Sequence, residues 1–169
     1  MNNKLKFLQQ TILSLVLFLT AHLLHAAIDE AQMSVWVNEA IVETYTYRYD
    51  DYRERQKIFA HYFTADAWMA YIKALNASKL LDVVHKNKYV VSAVATMPPT
   101  ITATVPHHWT AVMPLLVRYK SAQEEQKQSL EATIEFTEVP SDQGVRGLAI
   151  TSMQVKQSSP MCPCPSNLQ

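Results

Sequence analysis

The chain has only two glycines, and both sit in Gly144-Val145-Arg146-Gly147. Loops that cradle phosphate need several glycines where backbone approaches oxygen closely, so a nucleotide-loop fold is all but excluded. Cysteine is equally scarce. Cys162 and Cys164 stand together in Met161-Cys162-Pro163-Cys164-Pro165, beyond the last apolar segment, so they do not staple a core and lack the C-x-x-C redox spacing. With Met161 they make only a weak soft-metal signal, and residues 158–169 read as a disordered Pro/Cys tail. No charge dominates either: Lys+Arg and Asp+Glu both number 15, so no field of one sign draws the protein to nucleic acid, and no nucleic-acid partner is expected. Histidines His61, His85, His107 and His108 are not spaced as a helical zinc pair, and H-E-x-x-H is absent, so neither metal nor cofactor is expected.

What is present is an ordinary globular balance, 49% hydrophobic and 18% charged over 169 residues, which suits one domain with a short extra segment at each end. Lys4 and Lys6 precede the apolar run Ile12 to Leu19 and then Leu24-His25-Ala26-Ala27, the charged, apolar, small-residue order of a secretory signal. That run is eight residues, against the roughly 20 that span a bilayer. Residues 1–27 therefore read as a signal peptide cleaved after Ala26 or Ala27, with an uncleaved N-terminal anchor as the alternative. A membrane would be met only through such an uncleaved segment. The expected location is the periplasm, with inner-membrane association following from the anchor alternative.

Residues 28–157 form the body. Met33, Trp36, Val37, Ala40, Ile41, Thr44 and Tyr45 recur at three and four, which predicts a helix from Ile28 to about Tyr49. Asp51-Tyr52-Arg53-Glu54 has capping-box spacing and marks a break or a second start. Thr64 caps a further helix whose packing face is Trp68, Tyr71, Ile72 and Leu75, and a short helix follows from about Lys79 to His85. After Lys88 the period changes to two. Strands are expected over Tyr89–Met97, Ile101–Val105, Trp109–Tyr119, Ala132–Phe136 and Gly144–Val155, with a bulge or an edge at Pro114, which has no N–H to give a ladder. Helices first and a strand meander second mean α+β, with N-terminal helices packed on a curved antiparallel sheet of four to five strands.

Several constellations have an everyday structural meaning. Tyr45, Tyr47, Tyr49 and Tyr52 interleave with Arg48, Arg53, Arg55 and Lys57, but Asp50, Asp51 and Glu54 neutralise them, so a tyrosine packing face with a charge-paired outer face is the favoured reading. Glu131, Glu135 and Glu138 alternate away from the apolar face and read as a solvated strand face.

The order Trp36-Val37-Asn38-Glu39-Ala40, Tyr45-Thr46-Tyr47 with Asp51-Tyr52-Arg53, Tyr62-Phe63-Thr64 with Trp68, and Trp109-Thr110-Ala111-Val112-Met113-Pro114 with Tyr119-Lys120-Ser121 resembles the DotI/IcmL family. Those proteins are bacterial inner-membrane components of type IVB (Dot/Icm-type) secretion and conjugation systems. The resemblance implies a periplasmic domain similar to the cystatin-like or nuclear-transport-factor-like cone. It also implies a non-enzymatic interaction and assembly protein, partnered by copies of itself or by other secretion-system components, with no catalytic residues. Trp36, Tyr45, Trp68 and Trp109 are the candidate core or interface residues. The alternative is a pocket inside the cone, either binding a small ligand or acting as a ketosteroid-isomerase-like enzyme with Asp66 or Asp82 as base. An apolar cavity holding a carboxylate would mark that alternative.

Overall fold

The computed structural model describes residues 29–159. The signal-like segment, Cys162 and Cys164 lie outside the described residues. Helix α1 (Glu30–Thr44) starts at Asp29, whose carboxylate accepts the Ala31 N–H at 3.4 Å, with Glu30 in the first turn where the helix dipole favours negative charge. It ends five residues before the expected Tyr49. Thr44 and Thr46 turn their hydroxyls back onto the carbonyls of Ala40 and Val42, both at 2.7 Å. Beyond them, Tyr45, Tyr47 and Tyr49 alternate at a period of two, and Tyr47–Arg48 form the short strand β1.

Helix α2 (Tyr52–Phe59) begins where the capping-box spacing predicted, but Asp51 does not cap it with its side chain. That carboxylate turns back to accept the Arg48 N–H at 2.7 Å, closing the turn that precedes the helix. A single 3₁₀ turn (Ala60–Tyr62) then leads to α3 (Ala65–Ser78), where Thr64 accepts the Ala67 N–H as the sequence predicted. The face expected to be buried, Trp68, Tyr71, Ile72 and Leu75, is half-buried; only Ala67 of this helix is fully enclosed. Lys79 in the left-handed region separates α3 from α4 (Leu80–Asn87).

The strands are β2 (Val90–Ala95), β3 (Thr100–Val105), β4 (His108–Lys120), β5 (Glu125–Glu138) and β6 (Leu148–Gln157). Together with β1 they form one antiparallel sheet in the order β1-β2-β4-β5-β6, with β3 also paired to β4. The described residues thus have the expected α+β architecture. The sixth strand is β1, which lies where the sequence predicted helix and pairs with Val90 and Val91; β2 and β3 are two pieces of one line along β4, β2 facing Leu115–Lys120 and β3 facing His108–Val112.

Pro114 explains the interruption, and its setting differs from the expectation. It is neither at an edge nor bulged, since β4 keeps unbroken register with β5 through Pro114↔Glu131. Residue N–H and C=O groups of a strand point to the same side, and the Pro114 carbonyl accepts the Thr96 N–H at 3.0 Å. The missing N–H therefore faces the gap between β2 and β3, where Met97-Pro98-Pro99 leave the ladder anyway.

The core lies between α1 and the sheet. Trp36, Val37, Ala40 and Ile41 are no more than 1% exposed, as are Ala111, Met113, Leu115 and Val117 of β4 and Ala132, Ile134 and Phe136 of β5. Each large side chain so buried stabilises the fold by about 1.5 to 3 kcal/mol. The end of the 3₁₀ turn closes onto the far strand, where Thr64 N–H donates to the Ile150 carbonyl at 2.9 Å and Phe63 bridges Ile150 in parallel.

The β5–β6 connection turns tightly through Gly144 and Gly147, both at positive φ. A methyl group at Gly144 would overlap the Leu148 carbonyl, whereas one at Gly147 would meet the Val139 carbonyl at an ordinary 3.6 Å. Gly147→Ala should therefore cost only the left-handed backbone penalty, about 1 to 2 kcal/mol, and Gly144→Ala clearly more. Urea midpoints of the two variants check the order; equal losses would contradict the turn geometry.

Candidate functional site

Three surface features stand around the aromatic residues that the sequence singles out. The first is the seam where α1 meets the β5–β6 turn. Trp36 is 1% exposed, and its indole N–H donates to the Val145 carbonyl at 2.9 Å. Its ring lies 5.8 Å from Tyr62 and 5.2 Å from Phe136, and Phe136 in turn stacks on Trp109 at 5.5 Å. One helical turn along α1, Glu39 pairs with Arg146, so the turn is held by a hydrogen bond on one side and an ion pair on the other. Trp109 is half-buried at the start of β4. The Val145 carbonyl, Arg146 and Phe136 were not among the residues singled out from sequence. A glycine-bounded turn between two strands is the available signal for the first two.

The second feature is a groove of about 270 Å³ between α3 and β6, lined by Tyr45, Tyr47, Tyr71, Leu75, Met153 and Val155 among others. Tyr45 is half-buried at its wall, and Tyr71 stacks on Trp68 at 5.7 Å. Trp68 also meets Phe59 and Phe63 edge-on at 5.6 and 5.7 Å, so it belongs to the aromatic layer behind the groove. Burial pushes the Tyr52 hydroxyl up to about 12, and that hydroxyl has no hydrogen-bond partner. Burial, and then the charge that neighbouring phenols would add, holds Tyr45, Tyr47 and Tyr71 well above the ordinary tyrosine value. Sequence reasoning placed these tyrosines on a helix face; the structure brings Tyr45 and Tyr47 together with Tyr71 through the extended Tyr45-Thr46-Tyr47 segment. Three of the four cations interleaved with them are paired: Arg48 with Asp50 at 2.9 Å, Arg55 with Glu43 at 2.7 Å and Lys57 with Glu54 at 3.0 Å.

The third feature is a shallow depression of about 470 Å³ where Ser34, Val35 and Asn38 of α1 face Met97, Pro98 and Pro99 of the β2–β3 break. Val35 and Met97 are about half exposed there, at 51% and 54%.

The carboxylates considered as catalytic bases are apart from one another. Asp66 is exposed in the first turn of α3, and Asp82 is exposed on α4 at the rim of a separate open groove lined by Tyr49, Tyr52 and His85. Neither is enclosed in an apolar cavity. His107 is exposed and its Nδ1 contacts Glu138 at 2.6 Å, while His108 Nδ1 contacts the Pro106 carbonyl at 3.0 Å. Among the described residues no group of three or more His, Cys, Asp or Glu side chains is placed to hold a metal. No helix among them is long and apolar enough to cross a membrane.

Comparison with known proteins bears on the whole surface. Residues 18–157 match the DotI/IcmL family model, described as a type-IV b secretion system, inner-membrane complex component. The crystal structure of an IcmL-like type IV secretion system protein from Legionella pneumophila subsp. pneumophila str. Philadelphia 1 is 54% identical, with a TM-score of 0.78 over 80% of this chain and 98% of that one. The periplasmic domain of DotI is 32% identical, with a TM-score of 0.75 over 79% of this chain and 99% of that domain. A periplasmic fragment of TraM, at 17% identity and a TM-score of 0.70 over 78% of this chain and 100% of that fragment, shares the fold. No curated protein matches.

Two outcomes test the site. Trp36→Ala should cost about 3 to 5 kcal/mol, because it empties the seam and removes one of the two donors to the Val145 carbonyl, and Trp109→Ala clearly less, because its ring is only partly buried. Denaturant midpoints decide this, and equal losses would contradict the seam. The buried phenols ionise more readily in the unfolded chain, whose reference value is 10.0, than in the fold. Their contribution is therefore complete below about pH 10 and is lost as pH climbs toward 12 and beyond. The thermal midpoint should fall steeply above about pH 10, and Tyr47→Phe should flatten that fall.

Proposed function

Because the chain belongs to the DotI/IcmL family of type IVB secretion-system inner-membrane complex components, we propose that it works as a non-enzymatic assembly protein of such an apparatus in the periplasm. The observation that carries this reading is the 32% identity to the periplasmic domain of DotI, spread over 99% of that domain. Likeness of that extent covers the seam, the tyrosine groove and every strand, so the shared property is the whole body and its surface. The placement of Asp66 and Asp82 in solvent favours contact over chemistry, since a carboxylate acting as general base at neutral pH is usually tuned by burial. In this reading residues 1–27 direct export, the body presents its sheet edges and helix faces, and the partners are copies of this chain or other secretion-system components.

The test is fractionation of tagged full-length protein from cells that carry a type IVB system, followed by N-terminal sequencing and mass spectrometry of co-purified proteins. The expected result is a mature N-terminus at Ala27 or Ile28 and co-purification of secretion-system inner-membrane components. Recovery of Met1 on membrane-bound protein would replace export and release by anchoring. Recovery without any secretion component would overturn the assembly role.

A further inference from the structure

Among the outer boundaries of the sheet, those of β1 and β6 are blunted, and the Ser92–Ala95 part of β2, which runs past β1, belongs to a strand packed against α1. Strand β1 is two residues long, and its Arg48 is tied to Asp50. Strand β6 is bridged by Phe63 at Ile150 and flanked by α3, and its Lys156 pairs with Glu131 at 2.8 Å. Strand β3 is six residues long and touches α1, and its one irregularity is a bulge against β4 between Ala103 and Val105. Thr100-Ile101-Thr102-Ala103-Thr104-Val105 carries no charge, proline or glycine, and five of its six residues are exposed, Val105 by 59%. Natural edge strands are normally protected by charge, proline, a bulge, a cover or brevity, so a neutral one that is bulged only near its end is a template for another strand along its regular part.

The hydrogen-bonding parity of β3 is fixed by its neighbour. Since Pro114 faces the β2–β3 side, the even-numbered residues of β4 do so as well, and in the register Thr100↔Val112 and Thr102↔Thr110 the two threonines bond β4. Ile101 and Ala103 therefore aim their N–H and C=O groups outward.

We infer that β3 is a homotypic pairing edge, on which a second copy of this chain lays its own β3 antiparallel about a two-fold axis at Thr102. This rests on the assembly reading above and names its surface. In that arrangement each Ile101 stands opposite an Ala103, and these are the residues with free outward groups, so both pairs exchange two backbone hydrogen bonds. On the opposite face Thr102 meets its own counterpart, a cross-strand pairing that sheets favour, while Thr104, at the bulge, gives its hydroxyl to the His108 carbonyl at 3.2 Å. The regular stretch Ile101-Thr102-Ala103 is centred on Thr102, and no like charges are brought together. An isologous interface requires such self-complementarity; a foreign strand does not.

Sedimentation of the full-length exported protein tests this. The wild type should dimerise. Thr102→Lys should weaken dimerisation at least about ten-fold, because the axis sets two ammonium groups opposite one another, and Thr102→Glu should act alike. Both variants should match the thermal midpoint that the wild type has at concentrations where it is monomeric, since Thr102 is exposed, and an equimolar mixture of the two should dimerise again. With Cys162→Ser and Cys164→Ser removing the native thiols, Thr102→Cys should form a disulfide-linked dimer more readily than Ala103→Cys, which has no counterpart across the axis. A monomeric wild type, undiminished dimerisation of Thr102→Lys, or a mixture that stays monomeric would each overturn the β3 edge. None of these touches the assembly reading, which falls only if the wild type recovers no secretion component.

Discussion

The fold depends on the closure of one helix onto a curved sheet. Helix α1 carries a single apolar stripe, Met33, Trp36, Val37, Ala40 and Ile41, and β4 and β5 offer a matching row of alternate apolar residues. Neither surface is stable in water alone, and their contact removes both from solvent. Trp36 fixes how they meet, since its indole N–H must find an acceptor once buried and the nearest is the Val145 carbonyl in the β5–β6 turn. That acceptor is available only because Gly144 and Gly147 let the turn reach back toward α1. Two of the least abundant residues in the chain are thus spent on presenting one carbonyl to one tryptophan.

The same economy shapes the opposite side of the sheet. Pro114 removes one ladder donor from the middle of a central strand, and the strand beside it breaks at that point into β2 and β3. β2 continues the covered part of the sheet under α1. β3 runs on from it still touching α1, with Ile101 packed on the core and Ala103 and Val105 exposed. A single residue without an N–H therefore both ends one covered strand and leaves a more exposed one beyond it, and that more exposed strand is where a DotI/IcmL-type assembly protein has backbone groups left to offer.

Much of this was legible in the residues. The period-two run from Trp109 to Tyr119 located the central strand, Thr64 located the start of α3, and the order of aromatic residues pointed to the family. What could not be read were features set by distant partners. Tyr45 continues the stripe of α1 by spacing, yet Arg55 reaches across to Glu43 and to the Thr46 carbonyl at 3.1 Å and holds the chain out of the helix. The spacing around Asp51 signals a cap, but the carboxylate finds a nearer N–H at Arg48. Along β3, Ile101 packs on the core while Ala103 and Val105 are exposed, since alternation reports which residues share a face and not whether anything covers it.

A cone of helices on a curved sheet is a scaffold that hosts both ligand pockets and assembly surfaces, so architecture alone does not choose between them. The filling of the interior favours the second. Here Trp36, Phe59, Met113, Leu115, Ile134 and Phe136 are all fully buried and occupy the space between the layers at which a pocket would open. The tyrosines that sequence placed on a helix lie at the rim, where their rings wall a surface groove. Three open volumes among the described residues are grooves at the margins of the body, beside β6, beside the β2–β3 break and beside α4. A filled interior with grooves and open strand edge at its margins suits a protein met from outside, as a component of a secretion apparatus is.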